Sequence, residues 1–302
     1  MKCLIIGCGY VGIPLGAELV RLGHDVAGLR RTAASDGELQ AAGIRPLMAD
    51  VTRRETLEAL PRDFDWVIFC VAAGGDAEQY RQVYFQGMRH VVGWLESQPP
   101  KKFIYTSSTS VYGQNDGAQV KESSPAEPLA ETAKALRETE EVLLSAWREK
   151  KFPAVILRVA GIYGPDRGHW FKQFLKNEAR IEGDGSRHLN MIHRDDVVGC
   201  VIAALKSGRP GEIYNAVDDE PVTQTNFFQW LAGAVGKYPP ESAPENPEEN
   251  RKRGITNKRV LNRRLKMELG YQFKYPNFRK GYSAELLRLD RAGQLHIAPD
   301  ER

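Results

Sequence analysis

The stretch Leu4-Ile5-Ile6-Gly7-Cys8-Gly9-Tyr10-Val11-Gly12 runs from an apolar strand through a glycine loop into an amphipathic helix. In that context the spacing G-x-G-x-x-G describes a cradle for phosphate. The first glycine permits a tight turn, the second lets backbone approach a pyrophosphate, and the third lets helix and strand pack closely. Amides at the helix N-terminus then point at the anion. Gly7, Gly9, Tyr10, Val11 and Gly12 are therefore candidate dinucleotide contacts, against the plainer alternative of a glycine-rich turn that binds nothing.

Outward from this loop, short apolar runs alternate with amphipathic ones. The pattern predicts strands at 2–6, 24–29, 45–48, 66–71, 102–107 and 154–158, and helices at 12–22, 35–42, 79–97 and 130–149. That alternation implies an α/β fold with a doubly wound parallel sheet, whose ligands bind outside the carboxyl ends of the strands. After Gly164-Pro165 the rhythm changes. A tight turn at 183–186, a helix at 197–206 capped by Asp195 or Asp196 and a strand at 212–216 are expected. Residues 236–250, rich in proline and glutamate, read as a loop. Leu261, Leu265 and Leu269 predict a helix capped by Thr256 or Asn257 and ended by Gly270. The expected organisation is a nucleotide-binding domain over 1–165, to which 190–216 returns, and a smaller substrate lobe over 166–189 and 217–302.

Composition excludes several classes. The 302 residues are 42% apolar and 27% charged, the profile of a globular protein, and a net charge of +3 is too small to imply a polyanionic partner. Cys3, Cys8, Cys70 and Cys200 have no C-x-x-C spacing, so no metal site or disulfide framework is expected. With no removable leader and no apolar run near ~18 residues, the expectation is a cytoplasmic chain with no membrane partner.

A nucleotide site of this kind has a ribose reader about twenty residues past the loop. Here the second strand runs into Arg30 and Arg31 rather than an acid. Guanidinium forks suit a 2′-phosphate and gain little from a hydroxyl, so NADP is favoured and NAD is the alternative. Two solvated surface arginines would look the same in sequence.

Further motifs recur at the ends of the strands: Asp50-Val51, Val71-Ala72-Ala73, Ser107-Ser108-Thr109-Ser110-Val111-Tyr112-Gly113, and Leu157-Arg158 leading to Ile162-Tyr163-Gly164-Pro165. With the glycine loop, Ile192-His193-Arg194-Asp195-Asp196-Val197 and Leu269-Gly270-Tyr271, the chain resembles the extended short-chain dehydrogenase/reductase family. That family has a Rossmann domain and includes sugar-nucleotide epimerases and dehydratases. The resemblance implies that Asp50 and Val51 flank the adenine, that Val71, Ala72 and Ala73 line the ribose and diphosphate with Ser107 nearby, and that Ser108 is the catalytic hydroxyl. It also implies a Tyr-x-x-x-Lys pair on the next helix, where this chain has Thr132 and Leu136, though the acid Glu140 is kept. None of the eleven tyrosines has a lysine four residues later. Tyr84 stands at the usual helix asparagine position, and the glycine loop is one residue short. In these departures the chain resembles the atypical, epimerase/dehydratase-like subgroup.

A replacement acid or base has to come from elsewhere, because a threonine hydroxyl is far too weak an acid near neutral pH. Tyr112 and Tyr163 follow strands at the ligand edge, and Arg167 lies four residues past Tyr163. His169, His188, His193, Arg187 and Asn190 fall in segments that face substrate in the family, although packing or exposure accounts for each equally well. Eight basic residues between Arg251 and Lys266 read as the solvated face of a helix, so no nucleic acid partner is expected. The expected function is that of an NADP-dependent oxidoreductase or epimerase/dehydratase-like enzyme with a small polar, sugar-like substrate. A dinucleotide-binding sensor without turnover is the alternative, and a homodimer is compatible with either.

Overall fold

The computed structural model describes residues 1–33, 36–244 and 256–295. In chain order the first elements are β1 (Lys2–Ile6), α1 (Gly12–Arg21), β2 (Asp25–Arg30), α2 (Asp36–Ala41), β3 (Arg45–Met48), α3 (Arg54–Glu58) and β4 (Trp66–Phe69). Helix α4 (Ala77–Tyr80) continues through a π-helical turn (Arg81–Gln86) into α5 (Gly87–Leu95). Then come β5 (Lys102–Ser108), one 3₁₀ turn (Thr109–Val111), β6 (Asn115–Val120), α6 (Glu131–Lys150) and β7 (Ala154–Val159). The rest comprises β8 (Gly161–Tyr163), α7 (His169–Leu175), β9 (Ile181–Glu182), β10 (His188–Leu189), β11 (Met191–His193), α8 (Arg194–Ser207) and β12 (Ile213–Ala216). It closes with β13 (Val222–Thr223), α9 (Gln224–Ala234), β14 (Ser242–Ala243), β15 (Asn257–Val260), α10 (Arg263–Leu269) and α11 (Phe278–Arg291). No described helix is long and apolar enough to cross a membrane.

The central sheet has seven strands in the order β12-β7-β5-β4-β1-β2-β3, and every neighbouring pair is parallel. This is the doubly wound α/β architecture that the alternating pattern implies. Helices cover both faces, so the inner strands are buried on both sides rather than alternating; β7 is buried at all six positions. The chain winds outward from β1 to β3 and then returns to β4 on the other side. The carboxyl ends of β1 and β4 therefore face connections that diverge, and a crevice opens between them.

A second, aromatic cluster lies past the sheet, where Tyr163, Phe171, Phe227, Phe228, Phe278 and Tyr282 pack together. It is tied back to the sheet by Asp196. Its carboxylate accepts from Tyr271 Oη at 2.7 Å and from the backbone amides of Lys274 and Tyr275 at 2.7 and 2.9 Å. Asp196 is thus a tether for the C-terminal segment and not the cap of α8. The cap is His193, whose Nδ1 accepts from Asp195 N. The helix expected to start at Thr256 or Asn257 is also revised: Asn257–Val260 is a strand paired with β6, and α10 starts only at Arg263. Leu265 and Leu269 pack into the sheet's core, not into the aromatic cluster. Residues 245–250 of the expected loop and Arg251, Lys252 and Arg253 of the basic run lie outside the described residues. Within that run Arg264 pairs with Glu212 and Glu268, and Lys266 with Asp219.

Below the crevice a charged pair is fully enclosed. Arg158, on β7, donates through Nε and Nη2 to the two carboxylate oxygens of Glu140, on α6, at 3.0 and 2.7 Å. Ser107 Oγ, on β5, donates to the same carboxylate at 2.7 Å. Glu140 is 0% and Arg158 2% exposed. Removing one partner strands the other charge without water, and such a loss costs about 3–5 kcal/mol. Glu140→Gln is expected to lower the unfolding free energy by about that much in urea titration; a change under about 1 kcal/mol would show that the pair does not hold the sheet to α6.

Candidate functional site

A cleft of about 930 Å³ crosses the carboxyl ends of the central strands. Its middle is the glycine loop. Gly7 has φ +90°, and a Cβ there would lie 2.5 Å from Val71 N, so only glycine fits. A Cβ on Gly9 would meet nothing within 4 Å. Gly9 lines the cleft and leaves open the space that an approaching phosphate needs. Gly12 does not line it; a Cβ there would come within 2.9 Å of Gly7 O, so its role is the close packing of α1 on the loop. The residues present fit a dinucleotide.

One end of the cleft is walled by Arg30, Arg31, Asp50 and Val51. Arg30 is not a free cation: Nε donates to Cys8 O in the glycine loop, and Nη2 lies 3.3 Å from Glu38. Arg31 is exposed. Asp50 Oδ1 accepts from Thr52 N and Oγ1 at 2.9 and 2.8 Å, which fixes the turn after β3. The central wall is Val71, Ala72 and Ala73. Tyr84 pins this wall, its hydroxyl donating to Val71 O at 3.2 Å and accepting from Ala73 N at 3.3 Å. Tyr84 sits in the π-helical turn, a one-residue insertion of the kind found at functional sites, which re-aims side chains. Gln79 and Gln82, on the same helical face, also line the cleft and were missed in the sequence, where nothing but membership of the predicted helix marks them.

The other end holds Ser107, Ser108, Leu136 and Ile162, while Arg167 lines the cleft beside Tyr10 of the glycine loop. Ser107 is engaged by Glu140. Ser108 is 7% exposed, and its Oγ accepts from Ser110 N at 3.2 Å, which caps the 3₁₀ turn and leaves its proton to donate. Leu136 brings an apolar side chain to the cleft where the family resemblance implies a lysine. Thr132 is buried and does not line the cleft.

The other expected residues are placed elsewhere. Tyr112 is enclosed, its ring stacked on Arg158 and its hydroxyl donating to Asn215 Oδ1 at 2.8 Å. Tyr163 stacks on Tyr282 with ring centroids 4.4 Å apart, and burial followed by the nearby Asp218 holds its phenol far above the ordinary range. Neither phenol reaches the cleft, because both serve packing. His193 is 3% exposed between the Tyr163 and Tyr275 rings, and burial lowers its pKa. Asn190 bridges to β15, giving Nδ2 to Lys258 O and accepting Val260 N at Oδ1, both at 2.8 Å. His188 is bound to Asn257. Arg187 pairs with Glu182 at 2.7 Å and packs over Trp170, and His169 is exposed at the start of α7. Of the expected substrate contacts, only Arg167 lines the cleft. Lys258 was read as a surface charge, yet it is 3% exposed, with Nζ donating to Tyr112 O and Thr256 Oγ1 at 2.8 and 2.7 Å. Burial pulls its pKa down to about 8.

Residues 3–216 match the NAD-dependent epimerase/dehydratase family. The Escherichia coli K12 protein YeeZ is 28% identical over 288 residues, covering 91% of this chain and 97% of its own length. Human dTDP-D-glucose 4,6-dehydratase is 30% identical over 177 residues, 56% of this chain and 51% of its own. The crystal structure of Bacillus cereus UDP-glucuronic acid 4-epimerase with UDP-glucuronic acid and NAD superimposes with a TM-score of 0.82 at 22% identity, covering 97% and 100% of the two chains. At that identity the last comparison is one of fold.

The two loop glycines should separate in a stability assay. Gly7→Ala meets both backbone contact and a strained φ and should lose about 2–4 kcal/mol in urea, whereas Gly9→Ala should stay within about 1 kcal/mol of wild type. Equal losses would contradict the placement of Gly9 at open space. Asp218, beside Tyr163, provides a pH test. It is 1% exposed, its Oδ2 has no partner, and burial raises its pKa well above the ordinary value. The folded chain keeps this proton while the unfolded chain releases it above about pH 4, so the group's cost grows as pH rises from there. Asp218→Asn removes that cost. Its melting temperature relative to wild type should climb between pH 4 and 8, and a flat difference would show that Asp218 is ionised in the fold.

Proposed function

The chain belongs to the NAD-dependent epimerase/dehydratase family, and from that premise we propose that it is an NADP-dependent oxidoreductase or epimerase/dehydratase-like enzyme acting on a small, polar, sugar-like substrate. The observation that carries this reading is the single cleft that joins Arg31 and Asp50 at one end to Ser108 at the other through the open face of Gly9. Its volume and lining suit an extended dinucleotide with a substrate at the far end. The dinucleotide supplies a hydride donor and acceptor when bound. The glycine-loop amides face its phosphates. Arg31 is the guanidinium with open access for a 2′-phosphate, and Arg30, braced on Cys8 O and Glu38, holds that corner of the cleft rigid. Ser108 donates to a substrate oxygen and so places the reacting carbon.

Fluorescence titration should find NADPH bound about tenfold or more tightly than NADH, with the difference lost in Arg31→Ala. Equal affinities in the wild type would remove the NADP preference and leave NAD. Gly9→Val should fold but bind neither. In a screen of sugars and aldehydes, Ser108→Ala should lower kcat by about 10²-fold while cofactor affinity stays unchanged.

A second reading is favoured by Leu136. An apolar side chain at the reaction end cannot lower the pKa of a neighbouring acid, and the phenols of Tyr112 and Tyr163 lie outside the cleft. The protein would then bind NADP as a sensor. Tight binding without turnover on any compound in the screen supports that reading over the first.

A further inference from the structure

The glycine loop Gly7–Gly12 contains no cation, although the diphosphate it would hold carries two negative charges. Backbone amides and the N-terminus of α1 supply only partial charge. A full positive charge approaches from the second lobe. The Arg167 guanidinium lies 4.9 Å from the ring centroid of Tyr10, within the loop, and lines the cleft. Arg194 flanks the same ring at 5.3 Å, but its charge is taken up by Asp195 at 3.1 Å. Among the described residues no carboxylate pairs with Arg167.

The turn that presents Arg167 is built rather than incidental. Gly164 and Arg167 exchange both backbone hydrogen bonds, at 3.0 and 3.1 Å. Tyr10 Oη donates to Pro165 O at 2.9 Å, so the turn is bonded to the glycine loop itself. Asp166 has φ +58°, a strained value for a non-glycine residue, and it is held from α11 by Arg288 on Oδ1 at 2.8 Å and Glu285 on its amide at 3.3 Å. Such a conformation persists where the surroundings over-determine it. A cation fixed in advance loses little freedom when its anion arrives.

We propose that Arg167 binds the diphosphate of the dinucleotide and clasps the second lobe onto the glycine loop. This rests on the dinucleotide reading above and assigns to the cofactor a residue that the sequence pointed toward substrate. The test is calorimetric titration of wild type, Arg167→Gln and Arg167→Lys with NADPH, ADP-ribose and adenosine 2′-monophosphate, the last having no diphosphate. Arg167→Gln should weaken NADPH and ADP-ribose by about tenfold or more, leave adenosine 2′-monophosphate unchanged and flatten the salt dependence, with partial recovery in Arg167→Lys. Unchanged NADPH affinity in Arg167→Gln overturns the assignment, as does an equal loss for all three ligands. A loss seen only in the substrate KM overturns it in favour of a substrate contact. Wild-type protein that binds none of the three overturns the dinucleotide reading itself, a different result from wild-type binding that Arg167→Gln leaves intact.

Discussion

The enclosed pair between Glu140 and Arg158 is the constraint on which the site depends. Each carboxylate oxygen takes a guanidinium bond, and Ser107 supplies one more. Three elements meet there: α6 through Glu140, β5 through Ser107 and β7 through Arg158. An ion pair without water keeps its geometry because every alternative leaves a charge unsolvated. The end of β5 is therefore held where its last residue, Ser108, faces the cleft. The same guanidinium carries the Tyr112 ring, and Tyr112 reaches on to Asn215 at the sheet's edge. Glu140 lies on the same helix as Thr132 and Leu136, and what it contributes there is support for the sheet.

A second constraint brings the aromatic lobe to the rim of the cleft. Asp196 at the start of α8 takes three donors from residues 271–275, so the C-terminal segment cannot swing away from the sheet without exposing a buried carboxylate. Helix α11 follows from that anchored segment, and its Glu285 and Arg288 hold the turn that presents Arg167. The position of one cation over the glycine loop thus traces back through α11 to Asp196.

Several residues that line the cleft also serve packing: Gly7 has no room for a Cβ, Tyr84 pins the wall after β4, and Ser107 serves the buried pair. Thr132 and Leu136 are both buried, and Leu136 belongs to the sheet's core as well as to the cleft wall. Thr132 has withdrawn from the cleft, and Leu136 enters it as a hydrocarbon. The phenols that line the cleft are those of Tyr10 and Tyr84, and burial has pushed Tyr10 up to about 12.

Local chemistry in the sequence was enough for the parallel sheet, the glycine loop and the left-handed Gly270 that ends α10, because each follows from periodicity or from the steric needs of a few adjacent residues; Asp50, Val51 and Val71 to Ala73 were singled out only through the family resemblance. The strands β6 and β15 were not legible, since short segments rich in polar residues become strands only by pairing with each other across 140 residues or more. Nor could the sequence tell that Asp196 is a tether, that Lys258 is buried, or that Tyr112 and Tyr163 turn into the core, as each of these depends on neighbours far along the chain. Arg167 shows the division best. Its charge and its place after Gly164-Pro165 are written in the sequence, but its approach to Tyr10 was decided by a turn held from α11, because a guanidinium is directed by whatever fixes its backbone and not by its own residue type.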